Sequence, residues 1–332
     1  MPLPLLVPIA IGLAGAFGAG KAAKAVYDTS KAKDIATSAQ AIVDQAENRL
    51  EQSKEETNSM LAAYGKKKLE ALDMQIRPFV DLFAQLKNVE ISQSPELGRM
   101  QVGDFGEVSV KELQNSCNMA HSTLQGLGSG AAGGALAAFG AYNGTMLLAS
   151  AGTGTAISAL SGVAATNATL AWLGGGTLAA GGLGVAGGTM VLGVLVAGPA
   201  LLIFGSILGA KATKKLAEAK ENMEKAWTFK TEVDGVCQTL NQLQDVTNMA
   251  SDLLSNLRGR LRRRNEALQQ VINEKGVDFS QYDDSAKATV FEGVKYAQLV
   301  KTVIDTPILD KEGRLLDGTK QAINEMSLSL AN

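Results

Sequence analysis

The chain sets 31 Lys and Arg against 33 Asp and Glu over 332 residues, and 46% of it is hydrophobic. A formal net charge of −2 argues against a generic nucleic-acid binder, which carries a basic excess. A single histidine and two distant cysteines, with no CxxC or HExxH spacing, leave little room for cysteine or histidine chemistry, argue against a zinc site, and give acid–base catalysis little material. Placement says more than the averages. Every charged residue lies in 21–120 or 211–332, so residues 1–20 and the 89 residues of 122–210 have none.

In residues 1–27, Pro2, Pro4 and Pro8 punctuate an apolar run through Leu5, Leu6, Ile9 and Leu13, and Lys21 and Lys24 follow it. A secretory leader places its positive charge before the apolar stretch. The reversed order predicts a membrane-dipping helix from about Pro8. Gly15–Lys21 matches GxxxxGK, but Ala22 stands where a phosphate loop needs a hydroxyl and no clean strand precedes it. The segment reads instead as a small-residue helix face, Gly12, Ala16 and Gly20.

Residues 28–121 form a first helical rod and a connector. Ile35, Ala39, Ile42 and Ala46 begin an apolar stripe, and Leu69, Leu72, Ile76, Phe79, Phe83 and Leu86 alternate in steps of three and four, the seam of a long bundle helix. Pro78 lies inside that seam and must kink or interrupt it. Prolines and glycines break the pattern over 88–108, where short strands are expected near Val89–Ile91 and Gln101–Val102. Ser109 with Glu112 has capping-box spacing for a new helix running into the apolar centre, and His121, at its entry, reads as a boundary polar residue.

The uncharged stretch 122–210 holds 22 of the 36 glycines. Gly126, Gly130 and Gly134 run at a spacing of four, which Gly140/Gly144, Gly184/Gly188 and Gly205/Gly209 repeat. Residues four apart share a helix face, and glycine there lets a second backbone approach closely. Each glycine costs a helix in water about 1 kcal/mol relative to alanine, whereas in lipid an unpaired amide costs more. These glycines therefore read as helix–helix contacts within a membrane. The best span is Thr189–Leu208, about 30 Å as a helix, with Leu192, Leu195, Leu201, Leu202, Ile203 and Phe204 against acyl chains. Ala131–Ala151 and Thr155–Leu173 are further candidates, with Trp172 at an interface.

A second rod, 211–276, shows Leu216, Met223, Val236, Leu240, Leu243, Leu254, Leu257, Leu261, Leu268 and Val271 at helical spacing, with Gly276 as its stop. Within it Arg258, Arg260, Arg262, Arg263 and Arg264 either bind anionic headgroups or pair with glutamates of the first rod such as Glu47, Glu51, Glu55 and Glu56; the second reading is favoured. Residues 277–332 form a small helical unit. Asp283, Asp284 and Ser285 offer caps, Pro307 ends a helix, residues 308–316 make a tight hairpin, and a last helix starts near Gly318.

The fold expected is all-α: long antiparallel, coiled-coil-like rods enclosing a Gly/Ala-rich hairpin head, with a small C-terminal helical unit. This plan, over about residues 28–275, resembles that of α-helical pore-forming toxins, and the glycine-rich stretch is similar to the membrane-addressing region of apolipoprotein L-like proteins. The resemblance is architectural, and implies a head that enters a bilayer. The expected function is non-enzymatic membrane insertion, with homo-oligomers through rods and glycine faces forming a pore or remodelling the bilayer. Its partner is the lipid bilayer, with no nucleic acid and no cofactor; it would be membrane-associated with a soluble pool. The alternative is a constitutive anchor or scaffold whose rods recruit protein partners.

Overall fold

A computed structural model describes residues 19–89, 107–126, 133–142, 216–310 and 313–330. Among these the elements are α1 (Ala19–Ala71), a π-helical turn (Leu72–Ile76), α2 (Arg77–Phe83), α3 (Glu107–Gly126), α4 (Gly133–Ala141), α5 (Leu216–Lys275), a 3-10 turn (Phe279–Gln281), α6 (Asp284–Asp305) and α7 (Thr319–Ser329). The fold is all-α: the described residues contain no strand, only two isolated bridges. No helix among them is long and apolar enough to cross a membrane. The spans Thr155–Leu173 and Thr189–Leu208 lie outside the described residues, and Ala131–Ala151 is described only over 133–142.

The chain divides into two compact units, Met1–Leu50 with Gly198–Gly235, and Glu51–Ala197 with Val236–Asn332. The 53-residue α1 and the 60-residue α5 contribute to both.

In the first unit α1 buries Ala32, Ala39 and Ala46, seven residues apart, together with Val43 and Leu50. The α5 residues buried there are Ala219, Ala226, Phe229 and Val233. Seven-residue spacing keeps one stripe of a helix facing a neighbour. The predicted Ile35 and Ile42 flank that stripe, half-buried. Asp234 of α5 accepts from Arg49 of α1 and from Lys230 one turn earlier, at 2.5 and 2.6 Å.

In the second unit α1 and α5 run parallel. Gln244 donates to the Thr57 hydroxyl, Lys67 to the hydroxyls of Ser251 and Ser255, Arg258 to Glu70, and Asn265 to the Gln75 carbonyl, so residue numbers rise together along both helices. This corrects the antiparallel arrangement expected of the rods. A short hairpin enforces antiparallel neighbours, but here α2, α3, α4 and the uncharged stretch intervene. The antiparallel partner of the first rod is the α3–α4 arm: Arg77 meets Cys117, Asp73 meets His121, Gly65 meets Leu136 and Leu61 meets Gly140.

The predicted seam on α1 and α2 is buried from Leu69 through Phe83, and Leu86 is partly buried against the same core. Pro78 does not break the helix. It has no N–H for the carbonyl one turn back, and the chain meets that by widening: over Leu72–Ile76 it is π-helical, and the Arg77 N–H reaches Leu72, five residues back. Asn265 donates to the Gln75 carbonyl of this turn at 2.8 Å.

Phe79 and Phe83 lie 5.7 Å apart between ring centroids, and Phe279 meets Phe291 edge-on at 5.8 Å. Phe79 presses on α6 at Gly293, where a Cβ would stand 2.7 Å from its ring. Of the strands expected after α2, the described chain shows one parallel bridge, Lys87 with Asp278, made by the Lys87 N–H to Val277 and the Phe279 N–H to Lys87. Gln101–Val102 lie outside the described residues.

The C-terminal boundaries follow the sequence closely. Gly276, at φ 80°, ends α5, and the Asp283 carboxylate caps α6 by accepting from the Ala286 N–H. α6 stops at Asp305, two residues before Pro307, and Leu309 bridges Leu315 across a turn at Gly313. Gly318, at φ 88°, precedes α7. α3 starts at Glu107, which leaves Ser109 inside the helix rather than at its cap.

Candidate functional site

The site is the point where the uncharged stretch meets the helical body, and three features of the second unit build it.

The first is a helix crossing. Gly65 of α1 and Gly140 of α4 face each other without side chains: a Cβ on Gly65 would lie 1.9 Å from the Leu136 carbonyl oxygen, and one on Gly140 2.1 Å from that of Leu61. Such distances admit only backbone. Ala137, Phe139, Ala141 and Tyr142 are buried in the same core.

The second is Lys68, one turn beyond Gly65 and 0% exposed. Its Nζ donates to the carbonyls of Gly140 and Tyr142 at 3.1 and 3.2 Å and stands 4.8 Å from the centre of the Tyr64 ring. The carbonyl between them, Ala141, accepts from the N–H groups of Ile308 and Leu309 at 2.8 and 3.0 Å. The last carbonyls of a helix have no partner within it and form the negative end of its dipole; here a buried amine and two amides take them up. Burial pushes Lys68 down to about 7, against a smaller upward pull from Asp305 on α6. Burial also raises the Tyr64 phenol.

The third is a polar chain at the π turn. Asp73 accepts from Arg77 at 3.0 Å and meets Nδ1 of His121 at 3.1 Å, while Nε2 of His121 meets the Gln125 amide nitrogen at 2.8 Å. Both ring nitrogens of His121 are thus engaged, one by the carboxylate and one by the Gln125 amide, which fixes the orientation of the ring. Arg77 also donates to the Cys117 carbonyl at 2.7 Å. The thiols of Cys117 and Cys237 are free and buried, and burial raises that of Cys117 to about 12, away from nucleophilic use. His121, predicted as a boundary polar residue, is thus tied into a network.

The arginine cluster divides. Arg258 donates to the Gln75 side chain at 2.7 Å and to Glu70 at 3.3 Å, Arg260 to Asn256 at 2.9 Å and the Tyr296 hydroxyl at 3.3 Å, and Arg264 to Glu292 at 2.9 Å. Arg262 and Arg263 are exposed, the former 3.9 Å from Glu266. The carboxylates engaged across helices are Glu70 and Glu292, not Glu47, Glu51, Glu55 or Glu56. Parallel packing places Arg258 beside residue 70 of α1, beyond reach of 47–56.

Gly126 is the last residue of α3 and Gly134 lies in α4. Gly130, Gly144, Gly184, Gly188, Gly205, Gly209, Trp172, Leu192, Leu195, Leu201, Leu202, Ile203 and Phe204 lie outside the described residues. Among the described residues, no group of three or more His, Cys, Asp or Glu is placed to hold a metal. A cleft of about 410 Å³ lies between α5 and α7, lined by Leu253, Asn256, Arg260, Ile323 and Leu330 among others.

Sequence reasoning missed Lys68, which lay in the run Lys66-Lys67-Lys68. The signal was present: stepping back from Leu72 by four, three and four gives Lys68, Gly65 and Leu61, the same stripe. Comparison with protein-family models, curated proteins and solved structures returns no match.

Proposed function

We propose that this is a non-enzymatic protein that inserts its uncharged stretch, residues 122–210, into a lipid bilayer, its glycines drawing helices together there and its long helices supporting self-association into a pore or a membrane-deforming assembly. One observation carries the reading: 89 consecutive residues without a charged side chain, 22 of them glycine, set between two long amphipathic helices. In water so many glycines oppose helix formation, whereas lipid makes helix nearly compulsory by denying the backbone any other partner. The resemblance of this plan to α-helical pore-forming toxins, and of the glycine-rich stretch to apolipoprotein L-like proteins, supports the same reading.

Vesicle sedimentation and release of an entrapped dye test it. The chain is expected to bind vesicles and release dye, and Gly130→Leu with Gly134→Leu to impair release more than binding. A chain that binds no vesicle at any pH overturns the reading. Alkaline extraction from native membranes separates inserter from anchor: an inserter keeps a soluble pool, and a chain found only in the resistant pellet is a permanent anchor.

A further inference from the structure

The uncharged stretch does not leave the helical body freely. Within it α4 is seated against α1 through Gly65 and Gly140, and the end of α4 is held by three successive carbonyls. The Ala141 carbonyl is taken by backbone amides, which do not titrate. Those of Gly140 and Tyr142 are taken by the Lys68 amine, which does.

We propose that Lys68, with the amides of Ile308 and Leu309, is a proton-responsive clamp on the last turn of α4, holding that helix of the uncharged stretch to the helical body and releasing it as the amine takes up a proton and water. The proposal deepens the membrane-inserting reading by naming what regulates it, although the clamp itself is measured without lipid.

The chemistry follows from the seat. A neutral amine has two N–H groups, which match the two carbonyls, and the face of the Tyr64 ring lies beside it. An ammonium has a third donor and a full charge in a place without water, which disfavours it. The titratable groups around it are few. Tyr64 lies on its own helix; α4 contributes no charged residue and is followed by the buried Tyr142; α6 contributes Asp305, held by Lys301; and on the following turn Asp310 is paired with Arg314. Of the neighbouring charges Asp305 favours the charged form, as do the helix-end carbonyls and the Tyr64 ring face, and burial outweighs that pull.

The sign is fixed by linkage. The seated amine holds its proton only below about 7, whereas in the released state the hydrated amine holds it up to its ordinary value of 10.5. Between these limits release takes up a proton, so its equilibrium falls tenfold for each pH unit of rise, and below about 7 it is flat. The clamp is therefore tighter on the alkaline side, by on the order of 50-fold between pH 7 and 9.

Hydrogen exchange of the full chain without lipid, read as protection of the amides of 136–142 relative to their intrinsic rates, tests this. Protection in the wild type is expected to rise on the order of 50-fold from pH 7 to 9 and to level below 7, while Lys68→Met should remove the dependence. A flat wild-type profile, or the same profile in Lys68→Met, overturns the clamp. Should Lys68→Met not fold, Asp305→Asn serves: without that carboxylate the levelling point must move to lower pH, and an unmoved profile assigns the dependence elsewhere and overturns the proposal. Binding to phosphatidylcholine–phosphatidylglycerol vesicles, measured alongside, keeps the two readings apart. A responsive clamp without vesicle binding sinks the membrane reading alone, and binding with an unresponsive α4 sinks the clamp alone.

Discussion

Gly65 and Gly140 bring α1 and α4 together backbone to backbone: a Cβ on either would stand about 2 Å from a carbonyl oxygen of the opposite helix. A side chain at either position must force the helices apart. Gly65→Ala or Gly140→Ala is expected to destabilise the second unit by about 1–3 kcal/mol despite the helix propensity alanine adds. Gly235 is the contrast, mid-helix in α5 with nothing within 4 Å of a Cβ, so Gly235→Ala should gain about 1 kcal/mol. Urea unfolding of the three variants checks the sign; a stabilised Gly65→Ala would mean that the helices do not cross there.

How much of this was legible beforehand depends on whether the signal was local. The stops and caps at Gly276, Asp283, Pro307 and Gly318 were readable because each is set by the conformation or hydrogen bonding of one or two residues. The helix seams were readable because burial follows periodicity, as Leu69 through Phe83 illustrate. Direction was not. Whether α5 runs parallel or antiparallel to α1 depends on what the intervening chain does, and amphipathic stripes are the same read either way. Lys68 was hidden for a related reason, since residue type alone says surface and only the register says core. The spacing of Gly140 reads as a helix contact within a membrane, whereas its described partner is Gly65 of α1, in a charged segment where a lone glycine carries no such signal.

The π turn before Pro78 depends on a side chain 190 residues away. Asn265 is 7% exposed, and its amide donates to the Gln75 carbonyl at 2.8 Å. Asn265→Ala would leave that buried acceptor without its donor and is expected to cost about 1–3 kcal/mol. Local exchange at 72–80 should rise with it. Unchanged stability together with unchanged exchange would show that the turn holds its own geometry without α5.

Arg258 and the exposed pair Arg262 and Arg263 should separate cleanly by substitution. The Arg258 side chain is 19% exposed and bonded to both Gln75 and Glu70, so Arg258→Ala is expected to lower stability by about 1–3 kcal/mol. Arg262, 68% exposed and 3.9 Å from its carboxylate, should matter by less than about 0.5 kcal/mol. If any part of the cluster meets anionic headgroups it is this exposed pair. Arg262→Gln with Arg263→Gln is then expected to weaken binding to anionic vesicles while leaving the urea midpoint in place. Loss of binding in Arg258→Ala alone would assign the effect to folding instead.

Asp283 is expected to contribute to the acid dependence of the C-terminal unit. Its carboxylate accepts from Lys275 at 2.7 Å and from the Ala286 N–H at 2.9 Å, and the Lys275 bond first, then the backbone bond, lowers it from its ordinary 3.8. A carboxylate that holds its proton less readily when folded stabilises the fold above its ordinary value, and that stabilisation is lost as the pH falls through the lowered folded value. Asp283→Ala removes the cap from α6 and the last-turn partner of α5 together. The variant is expected to melt at a lower temperature than wild type at pH 7, with the gap closing as the pH is taken from 5 towards 2. A gap of constant size across that range would show that the carboxylate acts by shape rather than by charge.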